Sequence, residues 1–197
     1  MVPFVLVTQL LTGFGLAGSA GLNAYVPLLA ISLLGRFGVI TLRGPFEVLT
    51  HPVVIGVTVL LLLVELLVDK IPAVDHVNDV IHTFIRPAAG ALVFAAGSGA
   101  VSDVPPVALL AAGLVTAFSV HATKAIARPV VHTATLGTGG PVVSLAEDVA
   151  AVIGSLLAVF APVMALAFFT LLAWFAWKAV TKLRQSFQRP AGVNSLG

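Results

Sequence analysis

Long apolar runs separated by short polar connections dominate the chain. A membrane-spanning helix needs about 20 mostly apolar residues, and six regions approach or exceed that length. They are residues 3–34, 52–68, 87–101, 106–122, 141–161 and 162–179. Proline opens nearly every region, which suits the first turn of a helix, where the missing N–H has no partner to lose. The pattern predicts an all-α, polytopic integral membrane protein with about six transmembrane helices.

Composition supports a chain that is membrane domain almost throughout. Hydrophobic residues make up 59% of the 197 residues and charged residues only 9%, whereas a soluble domain is about 25% charged. We expect one transmembrane domain over residues 1–180 and a short, basic, disordered tail over residues 181–197. The chain has no cysteine, which excludes disulfides and thiolate metal sites. Its net charge of +2 does not indicate nucleic acid, because the basic residues stand at the ends of apolar runs.

The distribution of lysine and arginine predicts the orientation of the chain, because cytoplasmic connections are enriched in both. The basic C-terminal tail places the C-terminus in the cytoplasm. Counting back, the connections 69–86 and 123–140 lie inside, and the connections 102–105 and 160–162 lie outside. One conflict remains, since the connection 35–51 then lies outside although it carries Arg36 and Arg43. We therefore predict a multi-pass protein of a prokaryotic plasma membrane.

The first apolar region is too long for one simple span and is rich in glycine. Gly13, Gly15, Gly18 and Gly21 fall within nine residues, and each costs about 1 kcal/mol against alanine in a helix. One interpretation is a broken helix whose backbone lines a site, as in transporter folds. The other is close helix packing through small residues. Under either, Asn23 at membrane depth needs a hydrogen-bond partner, and whether the region crosses once or twice stays open.

An internal repeat is a further hypothesis. The candidate units are residues 52–101 and 106–161, and each contains a span, a His-Thr loop and a second span. Three residue pairs share an offset of 54: Pro52 and Pro106, Lys70 and Lys124, Pro87 and Pro141. Two spans in each unit make the units parallel in the membrane. Such a repeat favours a site between its units.

A cluster of polar residues follows the second span. In a helix that begins near Pro72, Asp75, Asp79 and His82 lie on one face at i, i+4 and i+7, which predicts an amphipathic helix at the inner interface. Carboxylates and an imidazole on one stripe can relay protons or ions, and they are weak candidates for a metal site. A solvated face is the plain alternative. His132 occupies the corresponding inner loop of the second unit.

Carboxylates within apolar sequence indicate a functional site more strongly than this polar cluster does. In a helix that begins at Pro141, Glu147 lies roughly 9 Å below its start, and carboxylates at that depth usually mark ion paths or proton relays. Adjacent Asp148 points about 100° away, so at most one of the two faces a given site. A later helix start, with both in water, is the alternative. Glu65 either reaches the interface or pairs with a basic residue.

Two further charged residues are arginines that stand at the ends of apolar runs. Arg86 and Arg128 each precede a proline, and we interpret them as topology anchors rather than anion ligands. The chain contains neither a G-x-S-x-G elbow nor an H-E-x-x-H pair, and both are signatures of hydrolases. We therefore expect no enzymatic activity and no cofactor.

Three segments carry a family resemblance. Residues 21–27 (GLNAYVP), 69–75 (DKIPAVD) and 82–91 (HTFIRPAAGA) resemble the bacterial membrane proteins grouped as domain-of-unknown-function family 4126. The resemblance covers residues 13–161 and implies a bacterial plasma-membrane protein. It implies no activity, because no function is established for that family.

The sequence leads to two functional hypotheses. The first is a small transporter or channel for an ion or small polar solute, working as a homodimer or larger homo-oligomer in the lipid bilayer and not on nucleic acid. The second is a lipid-binding or scaffold membrane protein without transport activity, in which basic residues contact anionic lipid. The candidate binding residues are Glu147, Asp148, Asp75, Asp79, His82, His132, Asn23 and Glu65.

Overall fold

The described part of the chain is entirely helical in its regular structure. A computed structural model describes the backbone of residues 2–68, 72–99, 104–134 and 139–188, without the side chains of residues 2–3, 72–79, 129–134, 180, 183–184 and 186–188. These residues form α1 Val2–Leu22, α2 Tyr25–Arg36, a 3₁₀ helix Gly44–Thr50, α3 Pro52–Val68, α4 Pro72–Gly97, α5 Pro106–Ala134, α6 Gly140–Phe160 and α7 Pro162–Gln188. The predicted all-α class is confirmed.

The number of helices able to cross a membrane agrees with the predicted six. Among the described residues, segments of α1, α4, α5, α6 and α7 are long and apolar enough to span. The 3₁₀ helix and α3 make a sixth if they form one span bent by 66°. Large apolar side chains remain exposed along α3 and α7, such as Leu60, Leu67 and Phe175. Such surfaces suit contact with lipid.

Two predicted boundaries were wrong. Residues 72–86 are not a separate interfacial helix before a span at Pro87, because α4 runs unbroken from Pro72 to Gly97 with Pro87 inside it. Internal proline removes one backbone hydrogen bond and costs about 3 kcal/mol, which the dense packing of α4 around Val93 and Phe94 outweighs. The span predicted to end at residue 122 continues as α5 to Ala134.

The division into a transmembrane domain over residues 1–180 and a disordered tail over residues 181–197 stays a prediction. α7 continues to Gln188, because lysine, arginine and glutamine are good helix formers. Residues 189–197 lie outside the described part of the chain. The candidate internal repeat stays a prediction.

α1 is the central helix and packs against α4, α5, α6 and α7. Gln9, near its start, lies beside Gly99 after α4, and Gly21, near its end, lies against Val120 of α5. α1 therefore runs parallel to α5 and antiparallel to α4. The α4–α5 and α6–α7 connections lie at one end of the bundle. α1 runs away from that end.

Close packing explains the glycines of α1. A Cβ added to Gly15 would lie 2.6 Å from the Cβ of Ala158, and one added to Gly18 would lie 3.2 Å from the Phe169 ring. Facing α1, Gly154 of α6 leaves the same kind of space for Ser19. These contacts follow the close-packing interpretation, since small residues let helix backbones approach.

The break in the first region falls after the glycines, at Asn23 and Ala24. The Asn23 side-chain carbonyl accepts hydrogen bonds from the backbone N–H groups of Tyr25 and Val26, at 3.1 Å each. After α2, Phe46 packs with Leu10 against the same core cluster. α2 has 12 residues and is roughly 18 Å long, and whether the first region crosses a membrane once or twice stays open.

A buried charged cluster at the junction of α1 and α2

Charged side chains from four helices gather where α1 ends and α2 begins. The depth follows from α6, which begins at Gly140, so Glu147 and Asp148 lie roughly 10–12 Å along it. Both fall inside a segment apolar enough to span a membrane. Ionisable groups at such depth are costly and usually pair with one another or line a functional path.

The first group of charges, which we call the Glu65 cluster, joins α3, α4 and α5 through Glu65, His82, Thr83, Arg86 and His121. Arg86 Nη2 donates to Glu65 Oε1 at 2.9 Å, and His82 Nδ1 lies 3.4 Å from the same oxygen. Arg86 is fully buried and Glu65 is 2% exposed. A charge pair this deeply enclosed holds its helices together but tolerates no loss of one partner.

His121 extends the Glu65 cluster to α5 and has a defined tautomer there. Its Nδ1 lies 3.2 Å from Arg86 Nη1, and its Nε2 lies 3.1 Å from Thr83 Oγ1. Arginine can only donate hydrogen bonds, so Nδ1 must accept. His121 is therefore neutral in this arrangement, with its proton on Nε2 directed at Thr83 Oγ1.

The second group, which we call the Glu147 cluster, joins α5 and α6 through Lys124, Arg128 and Glu147. Lys124 Nζ lies 2.8 Å and Arg128 Nη2 3.2 Å from Glu147 Oε2, so two cations share one carboxylate oxygen. Lys124 Nζ also donates to the carbonyl of Leu22 at 3.3 Å. Since Leu22 ends α1, this bond satisfies a carbonyl that lacks a partner within its own helix.

Asn23 links the α1–α2 junction to α6. Its side-chain N–H donates to Asp148 Oδ1 at 3.0 Å, while its carbonyl oxygen holds the first turn of α2. Asp148 is 8% exposed. One amide side chain thus fixes both the start of α2 and the position of a carboxylate within a spanning helix.

The described side chains of the two clusters, together with Asp148, include three carboxylates and three lysine or arginine cations. Among the described residues here, the carboxylates are Glu65, Glu147 and Asp148. The basic partners are Arg86, Lys124 and Arg128. Because uncompensated charges are expensive in a low-dielectric interior, each of these side chains is expected to keep a partner of opposite charge.

Apolar grooves reach the charged region from two sides in the described part of the chain. A groove of about 460 Å³ between α5, α6 and α7 has Lys124 and Glu147 in its wall. A groove of about 360 Å³ between α2, α3 and α6 has Asp148 in its wall. Adjacent carboxylates on α6 therefore face different grooves, as their angular separation of about 100° requires.

Five of the eight candidate residues come together in this region: Glu147, Asp148, Glu65, His82 and Asn23. The side chains of Asp75, Asp79 and His132 lie outside the described part of the structure, so the hypothesis of a metal site at Asp75, Asp79 and His82 stays a prediction. Among the residues searched, no group of three or more His, Cys, Asp or Glu side chains could hold a metal ion.

The basic partners were not among the predicted binding residues. Interpreting Arg86 as a topology anchor was wrong, because its side chain is fully buried and bonded to Glu65. Arg128 likewise pairs with Glu147. One sequence signal did exist, since His121, Lys124 and Arg128 have the i, i+3, i+7 spacing of a single polar helix face.

Comparison with known proteins gives a family and no activity. No curated protein and no solved structure matches the chain. The family model described as Domain of unknown function (DUF4126) matches residues 10–182, which include α2 to α6, most of α1 and α7, and every residue of the two clusters. The protein therefore belongs to the DUF4126 family.

Proposed function

We propose that the protein is a small membrane transporter for an ion or small polar solute, and that its site is the Glu147 cluster with Asp148 and Asn23. The observation that carries this proposal is the set of buried, paired acidic and basic side chains around the α1–α2 junction. Helix breaks beside charged groups are where transporter folds place their binding sites.

Stability alone gives little reason for these charges. A buried ion pair commonly contributes no more than well-packed apolar residues of similar volume would. In a membrane interior, ionisable residues instead mark ion paths and proton relays. Six such groups around one helix junction, from four helices, support a role in moving charge.

The shared Glu147 carboxylate suggests how a solute enters. Lys124 and Arg128 both contact Oε2, so a cation binds by replacing one of them, and a proton on Glu147 releases both. Released Lys124 then holds an anionic or polar solute. Cation binding leaves the charge of the site unchanged when the displaced Lys124 gives up its proton, and protonation of Glu147 leaves one excess positive charge that an anionic solute at Lys124 balances.

Membrane, assembly and chemistry are parts of the same proposal. The basic C-terminal half of α7 supports a cytoplasmic C-terminus in a prokaryotic plasma membrane. About six spans are few to enclose a path, so we propose a homodimer or larger homo-oligomer. The proposed transport cycle contains no catalytic step and no cofactor.

Thermal unfolding of the detergent-purified protein tests the proposed site. Na⁺, K⁺, Mg²⁺, Cl⁻ and pH are varied for the wild type, Glu147→Gln and Asp148→Asn. A ligand that binds only the folded state raises its stability by RT ln(1 + [L]/Kd). We expect one condition to stabilise the wild type and to lose its effect in one of the two variants.

Glu47→Gln is the matched control, because Glu47 is an exposed carboxylate on the 3₁₀ helix, away from the clusters. It should keep the wild-type response. Equal responses of the wild type and both cluster variants to every ion and pH would contradict the proposed site.

A second candidate function is lipid binding without transport. The observation in its favour is the apolar groove of about 460 Å³, which is large enough for a ligand. Stabilisation by lipid together with indifference to every ion and pH would favour this candidate over transport.

A further inference from the structure

The groove between α5, α6 and α7 is an apolar channel with one ion pair in its lining. Along α7 the lining runs from Phe169 to Ala179, a length of roughly 15 Å. The volume of about 460 Å³ falls within the range of ligand pockets in proteins. Phe175 belongs to the lining and is 61% exposed. The groove is therefore open to the outside of the helical bundle, where lipid is expected.

The ion pair of the groove lies inside the apolar part of the bundle. α6 begins at Gly140, so Glu147 lies roughly 10 Å along it. The apolar span of α5 ends at Arg128, and Lys124 lies roughly 6 Å before that end. A charged head group would have to leave water to reach this depth, which is expensive. An occupant that reaches the pair is therefore expected to have an uncharged head.

The charges in the lining of the groove select the same kind of occupant. Lys124 and Glu147 are the two charged residues of the lining, and Lys124 Nζ lies 2.8 Å from Glu147 Oε2. Arg128 also contacts Oε2 but is not part of the lining. A cation and an anion in contact leave no counter-charge for a charged ligand. Because a buried charge without a partner is costly, the lining favours a neutral molecule.

Hydrogen bonding gives this pair one donor and one acceptor for a ligand. An ammonium group has three N–H donors. In the described part of the chain, Lys124 uses one for the Leu22 carbonyl and one for Glu147 Oε2, so the third is left. Both cations contact Glu147 at Oε2, which leaves Oε1 as the acceptor. A hydroxyl group matches this arrangement, since it accepts one hydrogen bond and donates another.

We propose that the groove binds a lipid alcohol from the surrounding bilayer, meaning an uncharged molecule that is hydrocarbon apart from a hydroxyl head. The hydroxyl oxygen accepts a hydrogen bond from Lys124 Nζ, and the hydroxyl proton is donated to Glu147 Oε1. The hydrocarbon lies along the apolar lining. The proposal does not rest on transport, because these bonds leave the Lys124–Glu147 pair intact, whereas the proposed transported ion displaces one of its members.

Photolabelling of the detergent-purified protein tests the site. The probe is 1-tetradecanol with a diazirine in its chain, and the competitors are 1-tetradecanol, its methyl ether, tetradecanoate and tetradecyltrimethylammonium. We expect labelling between Phe169 and Ala179 of α7, and we expect 1-tetradecanol to displace it best. The ether accepts a hydrogen bond but cannot donate one to Glu147. About tenfold more ether should therefore be needed, the effect of losing one hydrogen bond to a charged group.

Glu147→Gln tests the hydroxyl contact separately from the fold. The glutamine carbonyl oxygen is expected to face Lys124 and Arg128, because both can only donate hydrogen bonds. The amide N–H groups then face the groove, which offers donors and no acceptor. This variant should bind the alcohol and the ether with equal affinity. The exposed-site control Glu47→Gln should keep the wild-type preference for the alcohol.

Filling the groove tests its location without changing charge. Ala176 belongs to the lining, and Ala176→Trp places a large ring in the groove. Displaceable labelling should then fall to background. The control is Ala167→Phe, which enlarges an exposed residue of the same helix outside the lining and should label as the wild type does.

Several results would overturn the proposal. Equal displacement by the alcohol and the ether in the wild type, or a preference for the alcohol that survives in Glu147→Gln, would contradict the hydroxyl contact. Stronger displacement by tetradecanoate or tetradecyltrimethylammonium would assign the groove to a charged lipid. Equal displaceable labelling of Ala176→Trp and Ala167→Phe would place the site elsewhere. Absence of displaceable labelling in the wild type, together with a loss of dimer mass in Ala176→Trp, would assign the groove to a second copy of the chain.

Discussion

The Glu65 cluster and the Glu147 cluster use the same pairing of carboxylate and cation but differ in access. Glu65 and Arg86 are at most 2% exposed, whereas the Glu147 side chain is 15% exposed and lines an open groove. A sealed pair fixes the positions of α3 and α4. A pair at the edge of a groove can change partners, so solute and lipid are expected to meet the Glu147 cluster.

Asn23 and His121 place the two clusters next to one another. His121 and Lys124 are one helical turn apart on α5, and they contact different clusters. Asn23 is bonded to Asp148, the neighbour of Glu147. A change of partners at Glu147 therefore occurs beside residues that hold the α1–α2 junction in place.

Arg86→Leu should have the largest effect on stability. It leaves the Glu65 carboxylate without its closest cation in a sealed site, and loss of one member of a buried pair costs about 3–5 kcal/mol. The free energy of unfolding in detergent measures the loss. The double variant Glu65→Leu/Arg86→Leu should recover most of it, and a loss below about 1 kcal/mol, typical of an exposed pair, would contradict a sealed cluster.

Asn23→Ala should have the next largest effect, because it removes two contacts at once. Loss of the bonds to Tyr25 and Val26 costs about 1 kcal/mol, as for a helix cap. Loss of the bond to Asp148 adds about 1–3 kcal/mol. In the same unfolding assay, Asn23→Ser should regain only the capping part, and equal losses for alanine and serine would show that Asn23 does not cap α2.

Glu147→Gln should lower the free energy of unfolding by a smaller amount, about 1–2 kcal/mol. Its amide oxygen can still accept a bond from Lys124 or Arg128, and Lys124 keeps the Leu22 carbonyl. The free energies of unfolding of Glu147→Gln and of the exposed-site control Glu47→Gln are compared with that of the wild type. The value for the control should change by no more than about 0.5 kcal/mol. A loss as large as that of Arg86→Leu would remove the distinction between the clusters.

The smallest perturbation tests access directly. The chain has no cysteine, so single cysteines report without background. Ala146 is exposed and lines the groove, whereas Ala89 is buried in α4. With a small thiol reagent, we expect Ala146→Cys to react several times faster than Ala89→Cys in the folded protein, and equal rates would contradict a sealed α4 beside an open groove.

The sequence predicted the helices and the candidate carboxylates better than the basic side chains that pair with those carboxylates. Glu65 and Glu147 stand out because a charge within an apolar run is expensive wherever the helix packs. Arg86 does not stand out, because arginine beside a helix end is ordinary in membrane proteins. Only the packing of α4 through Pro87 places it inside the core.

Long-range contacts were beyond the sequence for a different reason. Asn23 and Asp148 are 125 residues apart, and no local pattern predicts which of several helix faces will meet. The need of Asn23 for a partner was predictable from the cost of burying an amide. The identity of that partner depends on the packing of α1 against α6, through Gly15 and Gly154.

Charge movement across proteoliposomes tests the central claim most directly. Currents are recorded under separate gradients of Na⁺, K⁺, H⁺ and Cl⁻ for the wild type, Glu147→Gln and Glu47→Gln. The proposed transport site predicts that at least one gradient drives current in the wild type and in Glu47→Gln, and that Glu147→Gln loses it. Wild-type currents equal to those of empty liposomes under every gradient, or equal to those of Glu147→Gln, would contradict the claim.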